Sequence, residues 1–481
     1  MQVCGCNGVV KLFLNPWGLN QLSIQLEAHS SHTSTPPSKT ENEKAACILR
    51  SSRVEVTMKC IMCHPTPPAT LAMLIVLPLL LLFYGAGNVH CSTIHENRED
   101  LNALLEFKQG ITGDPYGALS NWTASAHFCR WNGVTCTSTR PWRVQLLNLT
   151  SQSLTGQISS SVGNLTFLKY LDLSNNKFVG PLPLLNRLQQ LQYLDLNHNN
   201  LSGIIPDTLA NCSNLITLDL SSNLLVNSIP PKLGLLSNLQ YLSLGSNQLE
   251  GSIPGELGQL VNLGSLLLGD NRLSGEIPHA IFNLSSLQYL SLEMNMLGKA
   301  LPPNMGDLLR NLTELSLSKN FFEGHIPPSL GNALGLTKIY LSTNYFTGQI
   351  PTSFGKLSGL TLLNLEKNQL VARDDKDWEF LNALENCTSL EVLSLAGNNL
   401  QGSLPPSIGN LSTSLQYLLL GGNSLSGQIP QGIGKLSALI KLGLGGNYFS
   451  GTIEGWIENL KNLQTLLLDS NNFTGPIRKW L

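Results

Sequence analysis

The sequence predicts an α/β solenoid: a curved stack of about fourteen short units, each giving one strand to a parallel concave sheet, with a helical cap at the N-terminal end. Three observations carry that prediction. From Val144 onward the chain aligns with itself in lines of about 24 residues. Within each line, apolar and polar residues alternate over a short stretch, the period of a strand. Only 12% of residues are charged and 6% aromatic, while Leu and Asn recur throughout, which suits one long apolar spine better than a compact core.

The repeating pattern is L-x-x-L-x-L-x-x-N-x-L-x-G-x-I-P. "LQYLSLGSNQLEGSIPGELGQLVN", Leu239 to Asn262, is a clean copy, and others begin at Leu168, Leu191, Leu215, Leu263, Leu287, Leu312, Leu336, Leu360, Leu390, Leu415, Leu439 and Leu463. In "LQYLSL" the alternation of Leu242 and Leu244 with Ser243 turns every second side chain inward. The asparagine after the strand (Asn223, Asn247, Asn271, Asn320, Asn344, Asn368, Asn398, Asn423, Asn447) falls where the chain bends inward. A buried amide there pairs backbone groups of adjacent turns that would otherwise be orphaned. Gly251 and Pro254 mark the next bend. Cys212 and Cys387 occupy the phase filled by Leu165, Leu236, Leu260 and Leu284, which makes them small buried hydrophobes.

Ahead of the repeats, "EDLNALLEFKQGI", Glu99 to Ile111, carries Leu101, Leu104, Leu105 and Lys108 at helical spacing and is the expected cap helix. In "NWTASAHFCRWNGVTC" the close pair Cys129 and Cys136 is expected to form a disulfide if the chain is exported. Export is suggested by "ATLAMLIVLPLLLLFY", Ala69 to Tyr84, which follows Lys59 and precedes Gly85 to Gly87 in the order of a secretory signal. Two readings stay open: a signal peptide of a chain starting at Met58, or a signal anchor interrupted by Pro78. Both put everything after residue 92 outside the cytosol. The expected organisation is a polar extension with no packed core over 1–57, the signal over 58–91, the cap over 92–143 and repeats over 144–481. The last copy, "NNFTGPIRKWL", halts within a unit, so a continuation or a fraying end is expected.

Together "ALLEFKQGI", "NW", "CRWNGVTC" and the "GxIPxxLGxL" units resemble the plant leucine-rich-repeat receptor kinases and their kinase-less relatives, over roughly Glu96 to Leu481. "LVARDDKDWEFLNALENCTSL", Leu370 to Leu390, lengthens one unit and places Asp377 beside Trp378. An insertion of this kind looks like the subgroup of the rice bacterial-blight resistance receptor and the Arabidopsis receptor for bacterial elongation factor. That resemblance implies recognition of a microbial or endogenous peptide or protein in immunity, with a co-receptor kinase of the same repeat class as a further partner. It also implies a plasma-membrane receptor whose membrane and kinase portions are absent from this sequence. The competing expectation is a secreted decoy, an inhibitor-type binding protein or a truncated product.

The candidate binding surface is the outward-facing column Tyr170, Tyr193, Thr217, Tyr241, Ser265, Tyr289, Glu314, Lys338, Leu362, Val392, Tyr417 and Lys441. Its richest patch combines Tyr289, Glu293, Met294, Glu314, Lys319, Lys338, Tyr340, Glu366 and Lys367, where mixed charges lie beside aromatic rings. A plain packing ladder of neighbouring side chains is the alternative. Sugar-acceptor sequons occur at Asn121, Asn148, Asn164, Asn200, Asn211, Asn283, Asn311, Asn386, Asn410 and Asn472, a density that predicts a glycoprotein.

Other function classes find no support. A formal net charge of −2 offers no cationic surface for nucleic acid. The Gly-rich, HRD-type and DFG-type loops of a kinase do not occur, and "GLGGNYFSG" belongs to a repeat turn. Asp172, Asp195 and Asp219 share one phase of "LDLS"-like strands, which is ordinary repeat chemistry rather than a metal site. No catalysis, cofactor or metal is expected.

Overall fold

The computed structural model describes residues 97–475 except 124 and 454, all within the compact unit Ile94–Leu481. The expected extension, the signal segment and the final residues 476–481 lie outside the described residues.

Helix α1, Arg98–Gln109, begins where Asn97 accepts hydrogen bonds from Glu99 N at 2.9 Å and Asp100 N at 3.1 Å, pairing two donors the helix leaves free. Glu99 and Asp100 in its first turn and Lys108 in its last turn complement the helix dipole. The Lys108 ammonium also donates to the carbonyls of Leu119 at 3.2 Å and Trp122 at 2.8 Å, which ties the following loop down. The buried face differs from the expected stripe. Asp100, Ala103, Leu104 and Phe107 face inward, whereas Leu101 and Leu105 are only partly buried. The reason is electrostatic: Asp100, fully buried, receives Arg143 Nε at 3.1 and 3.2 Å, Arg143 Nη2 at 2.9 Å and Val144 N at 2.8 Å. A buried carboxylate with that many donors pins the cap to the first repeat strand and sets the helix's rotation. Cys129 and Cys136 form the expected disulfide, with Cα atoms 5.5 Å apart, and Trp122 stacks on Trp131 at 5.1 Å beneath the cap.

The described residues form two sheets of fifteen strands each, and the cap gives each its first strand, Ile111–Gly113 and Val134–Cys136. In one, Val134–Cys136 pairs antiparallel with Val144–Asn148, and every later neighbour is parallel. This is the concave sheet, with strands such as Tyr241–Ser243, Tyr289–Ser291 and Lys338–Tyr340. Its register places Leu218, Leu242, Leu266, Leu290 and Leu315 side by side, each at most 1% exposed. The other sheet, from strands such as Gln248–Gly251, Met296–Ala300 and Phe321–His325, covers the flank. Its inward phase is also apolar, and Phe322 stacks on Phe346 at 6.3 Å.

The asparagine expectation is met bond by bond. Asn320 Nδ2 donates to Leu292 O at 2.9 Å, Leu317 O at 3.1 Å and Ser318 O at 3.4 Å, while its Oδ1 accepts from Leu297 N at 3.0 Å. One side chain thereby pairs backbone groups of two adjacent turns. The residue just before each ladder asparagine is left-handed, as at Met294 (φ 55°), Lys319 (φ 55°) and Lys367 (φ 54°).

The return path of most units is a five-residue 3-10 turn such as Pro231–Leu235 or Gly255–Gln259, entered through a proline. The "LG" glycine of these turns has a packing reason, because a Cβ on Gly234 would run into the Glu256 carbonyl of the next unit. Three units depart from the rule: α2, Met305–Leu308, and α3, Glu379–Leu384, replace the 3-10 turn, and the return path between Lys177–Pro181 and Tyr193–Asp195 has only turns. The lengthened unit uses its extra residues as core. Phe380, Leu381 and Leu384 are buried, as is Trp378, whose Nε1 donates to Gln401 O at 3.2 Å.

Candidate recognition surface

Strand pairing alone assembles the predicted column. Tyr241 pairs with Thr217 and Ser265, Tyr289 with Ser265 and Glu314, and Lys338 with Glu314 and Leu362. Parallel neighbours lie about 4.8 Å apart, so these side chains line up along one face. The same register places Tyr340 between Ser316 and Asn364 in the next column.

Within the patch, Lys338 Nζ lies 3.3 Å from Glu314 Oε2, and the hydrogen bond to that carboxylate, with its charge, holds the ammonium above its usual value. Ser291 Oγ donates to Glu293 Oε2 at 2.6 Å, and Ser394 Oγ to Glu366 Oε2 at 3.4 Å. Lys367 Nζ approaches Glu366 Oε1 at 3.7 Å. Tyr289 stays 43% exposed and carries its ring to solvent. The structure therefore brings Tyr289, Glu314 and Lys338 together on adjacent strands and sets Tyr340 beside them. Met294, Lys319 and Lys367 do not lie on strands. They occupy the left-handed turn positions, so they form the rim of the face rather than its floor.

At the cap end of the same column the tyrosines do form a packing ladder. Tyr170 and Tyr193 stack at 4.2 Å with planes 5° apart, and their hydroxyls donate to Asp172 at 3.2 Å and Asp195 at 3.1 Å. Asp172, Asp195 and Asp219 are buried neighbours in register. Burial first, then the flanking carboxylates, push Asp195 up to about 6. Burial likewise pushes the Cys212 thiol up to about 12 and Cys387 up to about 11. Both sit fully buried as free thiols in the leucine phase.

The sequons divide by exposure. Asn200, Asn211, Asn283, Asn311, Asn386, Asn410 and Asn472 are exposed, while Asn121, Asn148 and Asn164 are partly buried. Asn148 lies on the concave strand Val144–Asn148. The Asn121 amide is committed to the cap: Nδ2 donates to Arg130 O at 3.1 Å and Asn132 Oδ1 at 3.2 Å, and Oδ1 accepts from Asn132 N at 3.0 Å.

Two features escaped sequence reasoning. One is the Asp100–Arg143 pin, whose partners lie 43 residues apart with no pattern linking them. The other is a second amide ladder, in which Asn214, Asn238, Asn262 and Asn462 each donate to the carbonyl 25 residues earlier. Its signal was present in the asparagine preceding the first leucine of several units.

Comparison with known proteins agrees with this architecture. The N-terminal domain of leucine-rich-repeat proteins matches residues 97–137, and leucine-rich-repeat profiles match 184–225 together with 167–188, 238–260, 262–284, 311–333, 335–357, 389–411 and 414–436. The receptor-like serine/threonine-protein kinase EFR of Arabidopsis thaliana is 46% identical over 88 residues, 18% of this chain and 8% of that protein. The plant peptide hormone receptor RGFR1, solved in complex with RGF2, is 34% identical over 69% of this chain and 55% of its own, with a TM-score of 0.62. A TDR receptor structure is 30% identical over 69% and 60%, with a TM-score of 0.61. The chain thus spans less than two thirds of each of these three proteins, and among the described residues no helix is long and apolar enough to cross a membrane. Cap, disulfide, two-sheet solenoid and matched repeats make this chain a leucine-rich-repeat solenoid with the N-terminal domain of such proteins, similar to the ectodomains of plant leucine-rich-repeat receptor-like kinases.

Proposed function

We propose that this chain is the non-catalytic, extracellular recognition part of a plant receptor-like protein, and that it captures a peptide or protein ligand on the concave sheet. The observation that carries this reading is the in-register surface around Tyr289, Glu314, Lys338 and Tyr340. There, mixed charges and open rings stand on a sheet too regular to rearrange. Rigid, pre-ordered side chains lower the entropy lost on binding and favour a specific complex. The similarity to a peptide hormone receptor solved with its ligand supports a peptide-class ligand. The lengthened unit Leu370 to Leu390, with its resemblance to the resistance-receptor subgroup, supports immune sensing, and the similarity to receptor-like serine/threonine-protein kinases supports signalling at the cell surface through a kinase portion outside these residues and a co-receptor kinase of the same repeat class. The exposed sequons support passage through the secretory pathway and glycosylation.

The test is Lys338→Ala with Tyr340→Ala in a signalling-competent receptor. The double variant is expected to lose ligand binding while keeping surface expression. Unchanged binding overturns the assignment of the patch.

A further inference from the structure

Large apolar side chains exposed to water concentrate in three consecutive units. Tyr289 is 43% exposed on the concave face, and Met294, also 43%, stands at the left-handed turn on the rim. Met296, Phe321 and Tyr345, at 46%, 49% and 50%, open the next three flank strands. The strands that carry them are neighbours in the flank sheet, so the three side chains form a ridge. Phe321 and Tyr345 stack with centroids 6.1 Å apart. Gly298 is the register partner of Phe321, and a Cβ there would lie 3.3 Å from the Phe321 carbonyl oxygen. A cavity of about 310 Å³, lined by Ile277, Phe282, Leu301 and Phe322 with Glu276 and His279 on its wall, adjoins Gly298 on the same flank. No sequon falls at this strand position between Asn200 and Asn472, although the exposed sequon Asn283 follows the cavity-lining Phe282.

Soluble surfaces scatter exposed apolar residues singly, whereas a contiguous run marks contact with another molecule. We propose that the recognition surface does not end at the concave face but turns over the rim at Met294, and that an extended ligand segment with large apolar side chains at alternate positions seats on the Met296–Phe321–Tyr345 ridge. This rests on the function proposed above and specifies its ligand. Alternate side chains of an extended chain recur about every 6.6 Å, close to the spacing of the stacked rings. Of the neighbouring outward positions, Ser274, Gly298, Thr347 and Gln369 carry no charge and favour apolar anchors, while the exposed Glu323 in register with Tyr345 sets one negative charge beside the ridge. The adjoining cavity offers one anchor the burial that a flat ridge would not.

The experiment uses the full chain and an array of synthetic peptides that carry aromatic or aliphatic pairs at alternate positions, with serine-substituted counterparts. Two variants are compared with the native protein: Phe321→Ser with Tyr345→Ser on the flank, and Lys338→Ala with Tyr340→Ala on the concave face. Both flank side chains are half exposed, so thermal unfolding should be little changed, and single Tyr345→Gln serves if the double variant is unstable. The expected result is retention of the alternating apolar peptides, weakened by about tenfold or more in each variant. Binding that depends on Lys338 and Tyr340 but ignores the flank overturns this inference and leaves the function standing. Binding indifferent to both variants, or no retained peptide, overturns the function and this inference with it.

Discussion

Replacing Asn320 by alanine tests what holds the stack together. The asparagine is 5% exposed, and its side chain makes four hydrogen bonds. Removing it strips Leu297 N of its acceptor and leaves the carbonyls of Leu292 and Leu317 without the amide donor. Each buried group left unpaired costs about 1–3 kcal/mol, and water reaching the turn would relieve part of that. Two or three such groups give an expected loss of about 3–5 kcal/mol. In a solenoid each unit touches only its neighbours, so the loss should be local. Amide hydrogen exchange followed across the chain, alongside urea unfolding, reads both quantities. Protection should fall in the units around Leu292, Asn320 and Asn344 while the cap exchanges as before. A loss under about 1 kcal/mol, or a uniform loss along the whole chain, would refute the reasoning that buried amides rather than leucines alone set the turn.

Arg143→Met leaves the Asp100 carboxylate buried without its cation, an expected loss of about 3–5 kcal/mol that should free α1 to proteolysis before the repeats are cut. Asp195 predicts a pH dependence of unusual sign. Burial pushes its carboxyl from the ordinary 3.8 up to about 6, so the native state holds the proton more tightly and stability from this group falls as pH rises from about 4 to 6. With solvent contact discounted the swing is about 2 kcal/mol, and Asp195→Asn should flatten that part of the stability curve. Replacing Cys129 and Cys136 by serine should lower stability by about 2–3 kcal/mol, read by thermal unfolding of the secreted protein. Glycosidase treatment of plant-made protein should raise its gel mobility, and unchanged mobility would count against occupied sequons.

The candidate surface was legible because a repeat converts sequence spacing into spatial neighbourhood. Once Tyr289 and Glu314 are known to share a phase, parallel pairing makes them adjacent. What spacing could not convey is which side of the bend a residue stands on. Met294, Lys319 and Lys367 read as members of the patch, yet the left-handed turn before each ladder asparagine moves them to the rim. The tyrosine column likewise read as uniform. The structure splits it into a hydrogen-bonded stack at Tyr170 and Tyr193 and an open ring at Tyr289.

By itself the sequence determined the solenoid, the strand in each unit, the buried leucine phase, the role of the turn asparagines and the cap disulfide. The disulfide follows from two cysteines close in sequence, and the rest from local periodicity, because every unit meets the same neighbours. The tertiary structure alone decided the rotation of α1, the burial of Trp378 in the lengthened unit and the ridge on the flank. The first two depend on partners that no period relates, Asp100 finding Arg143 across the cap and Trp378 the Gln401 carbonyl, and the ridge depends on which side chains fill one outward phase, where Phe321 stacks on Tyr345. Periodic burial is a property of the pattern, whereas a single buried charge or an open ring is a property of the place where two unlike segments meet.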